Sequence, residues 1–292
     1  MQVATAKCTS PTQDGKEGRT KPCTGRRNHA ACDDPVLQEK RMELRNEIKA
    51  IADTEGIDFL GVAKLSPAHD AIVAQGGTDI ARFPRAVSIG KTLIHTIVDG
   101  LSVPANARVA QLYRYYCYDL VNDLLDKVAL RISSVIQAQG FAALPVPAAP
   151  RAVDAERLCG VFSSKMAAHL AGLGWIGKSC LLVTPEAGPR ARWASVLTDA
   201  PISPTGEPMA PRCGDCQVCV KACPAGAFTG RPFHPEEERE VRFYASDCDE
   251  HLRAMKAEIG LRVCGMCVKV CPHGKRASQN NAIQADAPVS RR

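Results

Sequence analysis

Apolar positions divide the chain into a long folded stretch between two polar ends. Residues 1–35 hold no Leu, Ile, Phe, Trp or Tyr, and Val3 is their one branched aliphatic side chain. Such a segment cannot bury enough apolar surface to offset the entropy of ordering it, so residues 1–36 are expected to be a disordered tail. From Leu37 the pattern turns periodic: Leu37, Met42, Ile48 and Ile51 space as one helix face, which Gly56 closes. Ile57–Leu65 (IDFLGVAKL) and Ala86–Ile89 read as strands. Between about Ala107 and Gln139, Leu112, Tyr116, Leu120, Leu124, Val128 and Ile132 recur every fourth residue. They predict one long helix ended by Gly140, with Leu112 and Tyr116 in the core. Phe141–Val146 returns as a short strand and Phe162–Leu170 as a helix. Leu181–Thr184 and Trp193–Leu197 then read as a hairpin around the Gly188-Pro189 turn.

This alternation predicts an α/β or α+β domain over 37–205. Pro201, Pro204, Gly206 and Pro208 read as a linker into a second unit at 206–275, and residues 276–292 read as a second disordered tail. No repeat of solenoid period is present. The 292 residues suffice for one large or two modest domains. No uninterrupted apolar run reaches about 18 residues, so no membrane-spanning helix is expected. The first thirty residues lack the apolar centre of a signal peptide, and the expected location is cytoplasmic. The net charge of +6 is concentrated in the two tails. A nucleic-acid-binding domain would gather basic residues on a folded face, so the charge does not predict one.

Fourteen cysteines change the picture, because eight of them fall between Cys213 and Cys271, a stretch of 59 residues. Disulfide scaffolds are short, secreted and evenly supplied with cysteine, so metal ligation is the expected reading. Cys8, Cys23 and Cys32 match no metal template and are taken as incidental. The first motif, Cys213-x2-Cys216-x2-Cys219-x3-Cys223-Pro224, has the spacing used for cubane clusters in bacterial ferredoxins. Three thiolates on a tight loop cap one cube, and the fourth is aimed at a second cube. The second motif, Cys264-x2-Cys267-x3-Cys271-Pro272, is one cysteine short, and Cys248, 16 residues upstream, supplies it. Crossed ligation then assigns Cys213, Cys216, Cys219 and Cys271 to one [4Fe-4S] cluster, and Cys223, Cys248, Cys264 and Cys267 to the other. Zinc also uses paired C-x2-C knuckles, but three cysteines in one C-x2-C-x2-C row would make adjacent tetrahedral sites compete for the middle thiolate.

Gly172-x-Gly174-x2-Gly177-Lys178-Ser179 matches both a P-loop and a dinucleotide fingerprint. Both need a strand before the glycines and a helix after them, so that a helix N-terminus faces phosphate. Here the helix-like FSSKMAAHLA precedes and the strand-like CLLVT comes after, so nucleotide binding is not expected.

The string AGLGWIGKS at 171–179, then LLVTPEAGPR, then a dicluster unit with a displaced cysteine, resembles the epoxyqueuosine reductase family, which is related to the reductive dehalogenases. The resemblance covers about 50–272 and is strongest over 170–272. It implies an α+β architecture, a nitroreductase-like domain followed by a dicluster ferredoxin-like domain. It also implies a bound cobalamin reduced by two cubanes, and removal of an epoxide oxygen from a modified tRNA base. The chain departs from the family at two site positions. The family's proton-donating Asp aligns with Leu158, which leaves Asp154 or Glu156 as replacements. The family's Asp-Tyr-His stretch becomes Cys117-Tyr118-Asp119, so Tyr118 is the expected cobalt-facing side chain. The chain also stops soon after the clusters, without the helical repeats that help those enzymes hold tRNA. The expected substrate is therefore a small molecule or modified nucleoside, with tRNA as the family's alternative, and a flavodoxin or ferredoxin as donor.

On this reading Gly172, Gly174, Trp175, Gly177 and Lys178 form one wall of the cofactor site. Cys117, Cys159 and Cys180 are expected to be small buried hydrophobes, and His169 to lie on a helix surface. The expected activity is that of an iron–sulfur reductase passing electrons to a corrinoid or directly to substrate. The rivals are an electron carrier whose first domain only docks a partner, and a tRNA-modifying enzyme whose missing repeats come from another chain.

Overall fold

The computed structural model describes residues 35–149 and 156–275. Apart from the start of the first helix, the two expected tails lie outside the described residues. The order of elements is α1 (Pro35–Thr54), β1 (Phe59–Lys64), α2 (His69–Gly76), α3 (Thr78–Ala81), β2 (Arg85–Thr92), α4 (His95–Asp99), α5 (Ala107–Arg114) and α6 (Leu120–Ala138). The chain continues through β3 (Ala143–Val146), α7 (Ser164–Leu170), β4 (Trp175–Ile176), β5 (Leu182–Val183) and β6 (Ala191–Thr198). The cysteine unit adds α8 (Val218–Lys221), α9 (Ala245–Ile259) and α10 (Met266–Lys269).

A four-stranded antiparallel sheet of order β1-β2-β6-β3 carries the first domain. Successive side chains on a strand point to opposite faces, and the sequence uses both. Val62, Val87, Ile89, Ala194 and Val196 are buried on one face against Leu44, Ile48 and Ile51 of α1 and Leu125, Val128, Ile132 and Ile136 of α6. Ala63, Ala86 and Leu197 are buried on the other against Ile72 of α2 and Ala167 and Leu170 of α7. Full burial of such a branched side chain stabilises by about 1.5–3 kcal/mol, so these two layers hold the sheet. The antiparallel order agrees with an α+β fold.

Three expectations need correction. In α1 the buried stripe is Leu44-Ile48-Ile51, while Met42 is 62% exposed. Leu44 and Ile48 are four residues apart and share a face, whereas Met42 and Ile48 are six apart and do not. The long helix is broken by a π-helical turn, Tyr115–Asp119, between α5 and α6. Its buried row is Ala110, Tyr113 and Cys117, and Leu112, Tyr116 and Leu120 are exposed. A strict four-residue repeat drifts by about 40° per step on an α-helix, so that row cannot stay on one face. The wide turn rotates α6 further relative to α5. Finally, the expected hairpin does not form. β5 pairs with β4, while β6 pairs with β2 and β3. The Gly188 turn closes on itself through a Thr184–Gly188 bridge. β6 is longer and lies centrally in the sheet, where Trp193 packs across Gly90, and a Cβ at Gly90 would fall 2.5 Å from the Trp193 ring.

Several contacts dock the cysteine unit on this body. Val263 and Val268 share a core with Leu93, Val98, Leu101, Tyr113 and Cys117. Gly188 meets Gly274 backbone to backbone, so close that a Cβ at Gly188 would sit 2.3 Å from the Gly274 nitrogen. Arg190, fully buried, holds Asp99 at 2.6 Å and reaches the Lys269 carbonyl at 3.5 Å. The linker is pinned as well: Thr205 donates its N–H to the Val62 carbonyl and accepts the Val62 N–H, which covers the edge of β1.

Candidate functional site

The eight cysteines of the second unit lie in two neighbouring groups, and each group takes members from both motifs. Cys213, Cys216, Cys219 and Cys271 line a cavity of about 220 Å³. Gly214, at φ +47°, turns the backbone between the first two of them, where L side chains are strained. Burial pushes the Cys219 thiol up to about 11, and its neighbours Cys271, Cys213 and Cys216 add to the shift. The second group is Cys223, Cys248, Cys264 and Cys267. Burial, then Cys223 and Cys264, pushes Cys248 up to about 11. Burial, then Cys264, Cys248, Cys223 and Cys219, pushes Cys267 up to about 12. Each thiol opposes ionisation of its neighbours, so either set can be fully ionised only around a compensating positive charge. Four half-buried soft donors around one cavity are the donor set an iron–sulfur cube needs. Among the described residues, no three His, Cys, Asp or Glu side chains converge as ligands of a single ion would. A cube differs from a single ion in spreading its four ligands around a volume.

α9 supplies the displaced ligand. Its first turn carries Cys248, and its last residue is followed by Gly260 at φ +75°, a left-handed cap that turns the chain back towards Cys264.

A second feature lies between the two units. Two adjoining cavities, of about 350 and 680 Å³, share Gln75, Arg157, Ser163, Lys165 and Arg239. The first is walled by Phe162, Leu181, Trp193 and Arg192, the second by Cys180, Phe233 and Arg242. Lys165 projects from the first turn of α7, which Ser163 caps by accepting the Met166 N–H. Its Nζ donates to the Cys180 carbonyl at 2.7 Å. Burial, with the nearby Arg239 and Arg242, pulls the Lys165 ammonium below its ordinary range, against the opposing pull of the Cys180 and Cys267 thiols. Arg242 is buried over the Phe233 ring, and the Nε atoms of Arg239 and Arg242 have no hydrogen-bond partner. Leu158 and Cys180, both at these cavities or their rim, hold positive φ (+50° and +53°), a strain that non-glycine residues rarely carry. Lys165, Arg239 and Arg242 do not stand out in the sequence. Lys165 is one lysine of many, and only the fold places it between the two cavities and against the Cys180 carbonyl.

The residues singled out from the sequence are dispersed through the fold. Tyr118 packs edge-on to Tyr113, and the Arg192 guanidinium lies 3.9 Å over its ring, so Arg192 stands between Tyr118 and the first cavity. Asp154 lies outside the described residues, and Glu156 is exposed. Gly172 and Gly174 pack on backbone, a Cβ at the first meeting Glu207 and at the second the Val183 carbonyl. Trp175 is buried edge-on to His273. Gly177 and Lys178 border the Cys213 cavity. Cys117 and Cys180 are buried, and Cys159 is half-buried. His169 departs from expectation: it is buried, with Nδ1 2.9 Å from the Gly174 carbonyl and its ring edge-on to Phe233.

Residues 212–274 match the family of 4Fe-4S double cluster binding domains. An epoxyqueuosine reductase of Synechococcus sp. strain RCC307 is 33% identical over 41% of this chain and 37% of its own length. One from Synechococcus sp. strain CC9605 is 27% identical over 82% of this chain and 79% of its own. The chain thus spans about a third of the first relatives' length and most of the other's. Among solved structures, an epoxyqueuosine reductase with a modified tRNA stem loop superposes with TM-score 0.51 at 19% identity, covering 80% of this chain and 66% of that one. A reductive dehalogenase whose structure suggests a mechanism for B12-dependent dehalogenation superposes with TM-score 0.55 at 18% identity, covering 81% and 36%. At such identities the superpositions establish the shared fold, and the sequence matches carry the kinship. The chain is thus similar in sequence to epoxyqueuosine reductases, shares their fold and that of a reductive dehalogenase, and carries a 4Fe-4S double cluster binding domain.

Proposed function

We propose that the protein is an iron–sulfur reductase whose reaction takes place in the cavities around Lys165. The observation that carries this reading is the convergence of Lys165, Arg239 and Arg242 on two adjoining cavities between the first domain and the cysteine unit. Cys213, Cys216, Cys219 and Cys271 would hold one [4Fe-4S] cluster, and the second group the other. Cys219 is near enough to raise the Cys267 thiol, so this pair would mark the path between the clusters.

The adjoining cavities also suit a corrinoid. Phe162, Leu181 and Trp193 offer apolar walls to a flat ring, and the unpartnered Nε atoms of Arg239 and Arg242 are donors that peripheral amides or a phosphate would satisfy. The B12 chemistry of the neighbouring dehalogenase supports this choice. When bound, the clusters supply single electrons and a corrinoid supplies a strongly reducing metal centre. The chain's own residues do the rest. Lys165 holds a proton at Nζ, and its lowered affinity makes it a readier proton source than a solvent-exposed lysine. Arg239 and Arg242 orient an electron-rich group, while Phe162 and Trp193 keep water from the ring side. The substrate is a small molecule or a modified nucleoside. The tRNA stem loop bound by the neighbouring reductase makes a tRNA base the specific form of that class to test. A flavodoxin or ferredoxin fits the role of donor to single-electron clusters.

The test is anaerobic reconstitution with iron, sulfide and cobalamin, followed by visible spectroscopy and turnover of an epoxyqueuosine nucleoside and stem loop. Cluster absorbance with corrinoid bands, and turnover falling about 10²–10⁴-fold in Lys165→Met at unchanged cofactor content, is the expected result. Intact clusters without corrinoid binding or reduction would make the protein an electron carrier instead.

A further inference from the structure

The loop that imitates a nucleotide-binding motif turns its anion-binding chemistry toward the cysteines. Gly177, Lys178 and Ser179 form one wall of the cavity shared by Cys213, Cys216, Cys219 and Cys271. The approach is close: a Cβ on Gly177 would lie 3.6 Å from the Cys213 sulfur and 2.9 Å from a Val183 methyl. Lys178 is only 7% exposed, and its Nζ donates to the Gly214 carbonyl at 2.8 Å, in the turn between Cys213 and Cys216. Among the described residues its ammonium has no carboxylate partner. A buried ammonium is costly unless a negative charge faces it. The cavity would provide that charge, since a cube held by four thiolates is an anion. Arg212 borders the same cavity, but it is exposed and lies over the Trp175 ring, where solvent screens it.

We propose that Lys178 is the buried counter-charge of the cluster held by Cys213, Cys216, Cys219 and Cys271, and that it raises the reduction potential of that cluster. The inference rests on the ligation proposed above. One electron from an external single-electron donor enters the cube, no bond is made or broken, and the negative charge of the cube and its thiolates grows by one. An adjacent fixed cation favours the more negative state, and cluster potentials respond to local charge and hydrogen bonding. Gly177 admits the backbone to the cluster cavity, as a glycine would admit it to a phosphate, and β5 stands where a nucleotide loop would have a helix. Lys178 is thus a positioning residue for charge and touches no substrate.

The experiment is a mediated dithionite titration of the full reconstituted chain, followed by electron paramagnetic resonance, with iron and sulfide analysis of each sample. The signal of this cluster is the one lost in Cys271→Ala. In Lys178→Met the iron content should hold while the reduction equilibrium of this cluster weakens about tenfold or more, about 59 mV for one electron. The other cluster should stay unshifted, and Lys178→Arg should restore most of the change. Full iron with an unshifted potential in Lys178→Met would overturn the proposal and leave the cluster assignment standing. Equal loss of this cluster in the Met and Arg variants would also overturn it, showing that Lys178 only props the Gly214 turn. A wild-type chain without labile sulfide would overturn the ligation reading itself, and this proposal with it.

Discussion

At the scale of single residues, the fold gives ordinary side chains unusual duties. His169 looks like a surface histidine in the sequence, yet it is buried and pins the glycine loop through the Gly174 carbonyl. That acceptor fixes the neutral ring with its proton on Nδ1. Burial pulls His169 below its ordinary value of 6.5, and the carbonyl offsets this only in part. The folded state therefore resists a proton that the unfolded chain takes up near pH 6.5. Stability from this group is present above that pH and is lost as pH falls through the lower folded value. Thermal unfolding of the holoprotein between about pH 7 and pH 5 should therefore show a shallower acid loss in His169→Gln than in wild type. Equal slopes would mean that other groups carry the acid sensitivity. The cluster cysteines lie at the other extreme of legibility, since their spacing alone singles them out. Lys165 and Arg242 have no local signature because their meaning comes from what α7 and the 239–242 turn are packed against.

At the scale of elements, local chemistry and tertiary pairing contribute differently. Strands β1, β2 and β3 and helices α1 and α7 are legible from periodicity and capping, because each buries a face that its own sequence defines. The hairpin expected at Gly188 is absent, because nothing within 181–197 says that β6 must sit between β2 and β3. Pairing over a hundred residues of separation is decided by the whole sheet. The π turn is equally hidden, since one extra residue in a helix leaves the composition unchanged and only moves Tyr113 inward in place of Leu112. What the Gly188 turn does instead is support the last ligand. It abuts Gly274, three residues beyond Cys271, and Arg190 ties Asp99 to the Lys269 carbonyl just before that cysteine. Gly188→Ala would meet both a left-handed φ of +59° and the Gly274 backbone. The φ alone costs about 1–2 kcal/mol, and the clash cannot be relieved by a flexible side chain. The variant should lose the Cys271 side of the cluster unit first, leaving about half the iron per chain. Wild-type iron with unchanged thermal stability would show that the turn yields freely.

At the scale of the molecule, the proposed crossing of ligands would tie the two cysteine motifs to each other. Cys223 stands in the first motif but neighbours Cys248, Cys264 and Cys267, and Cys271 stands in the second but neighbours Cys213, Cys216 and Cys219. With that ligation neither motif would hold a cube alone, and the polypeptide between them, α9 included, would be fixed at both ends. Val263 and Val268 extend that constraint into the first domain by sharing a core with Leu93, Tyr113 and Cys117. Crossed ligation gives an outcome that no sequential scheme shares. Cys223→Ala should damage the cluster nearest Lys165 and spare the Lys178-facing one, while Cys271→Ala should do the reverse, although each residue lies in the opposite motif. Each variant should keep about half of the wild-type iron and sulfide, with a different paramagnetic signal surviving. Because the surviving cube still ties one motif to the other, each variant should also unfold in one transition together with the first domain. If Cys223→Ala instead abolishes the signal that depends on Cys213, or if the metal recovered is zinc without sulfide, each motif closes its own site and the crossed arrangement falls.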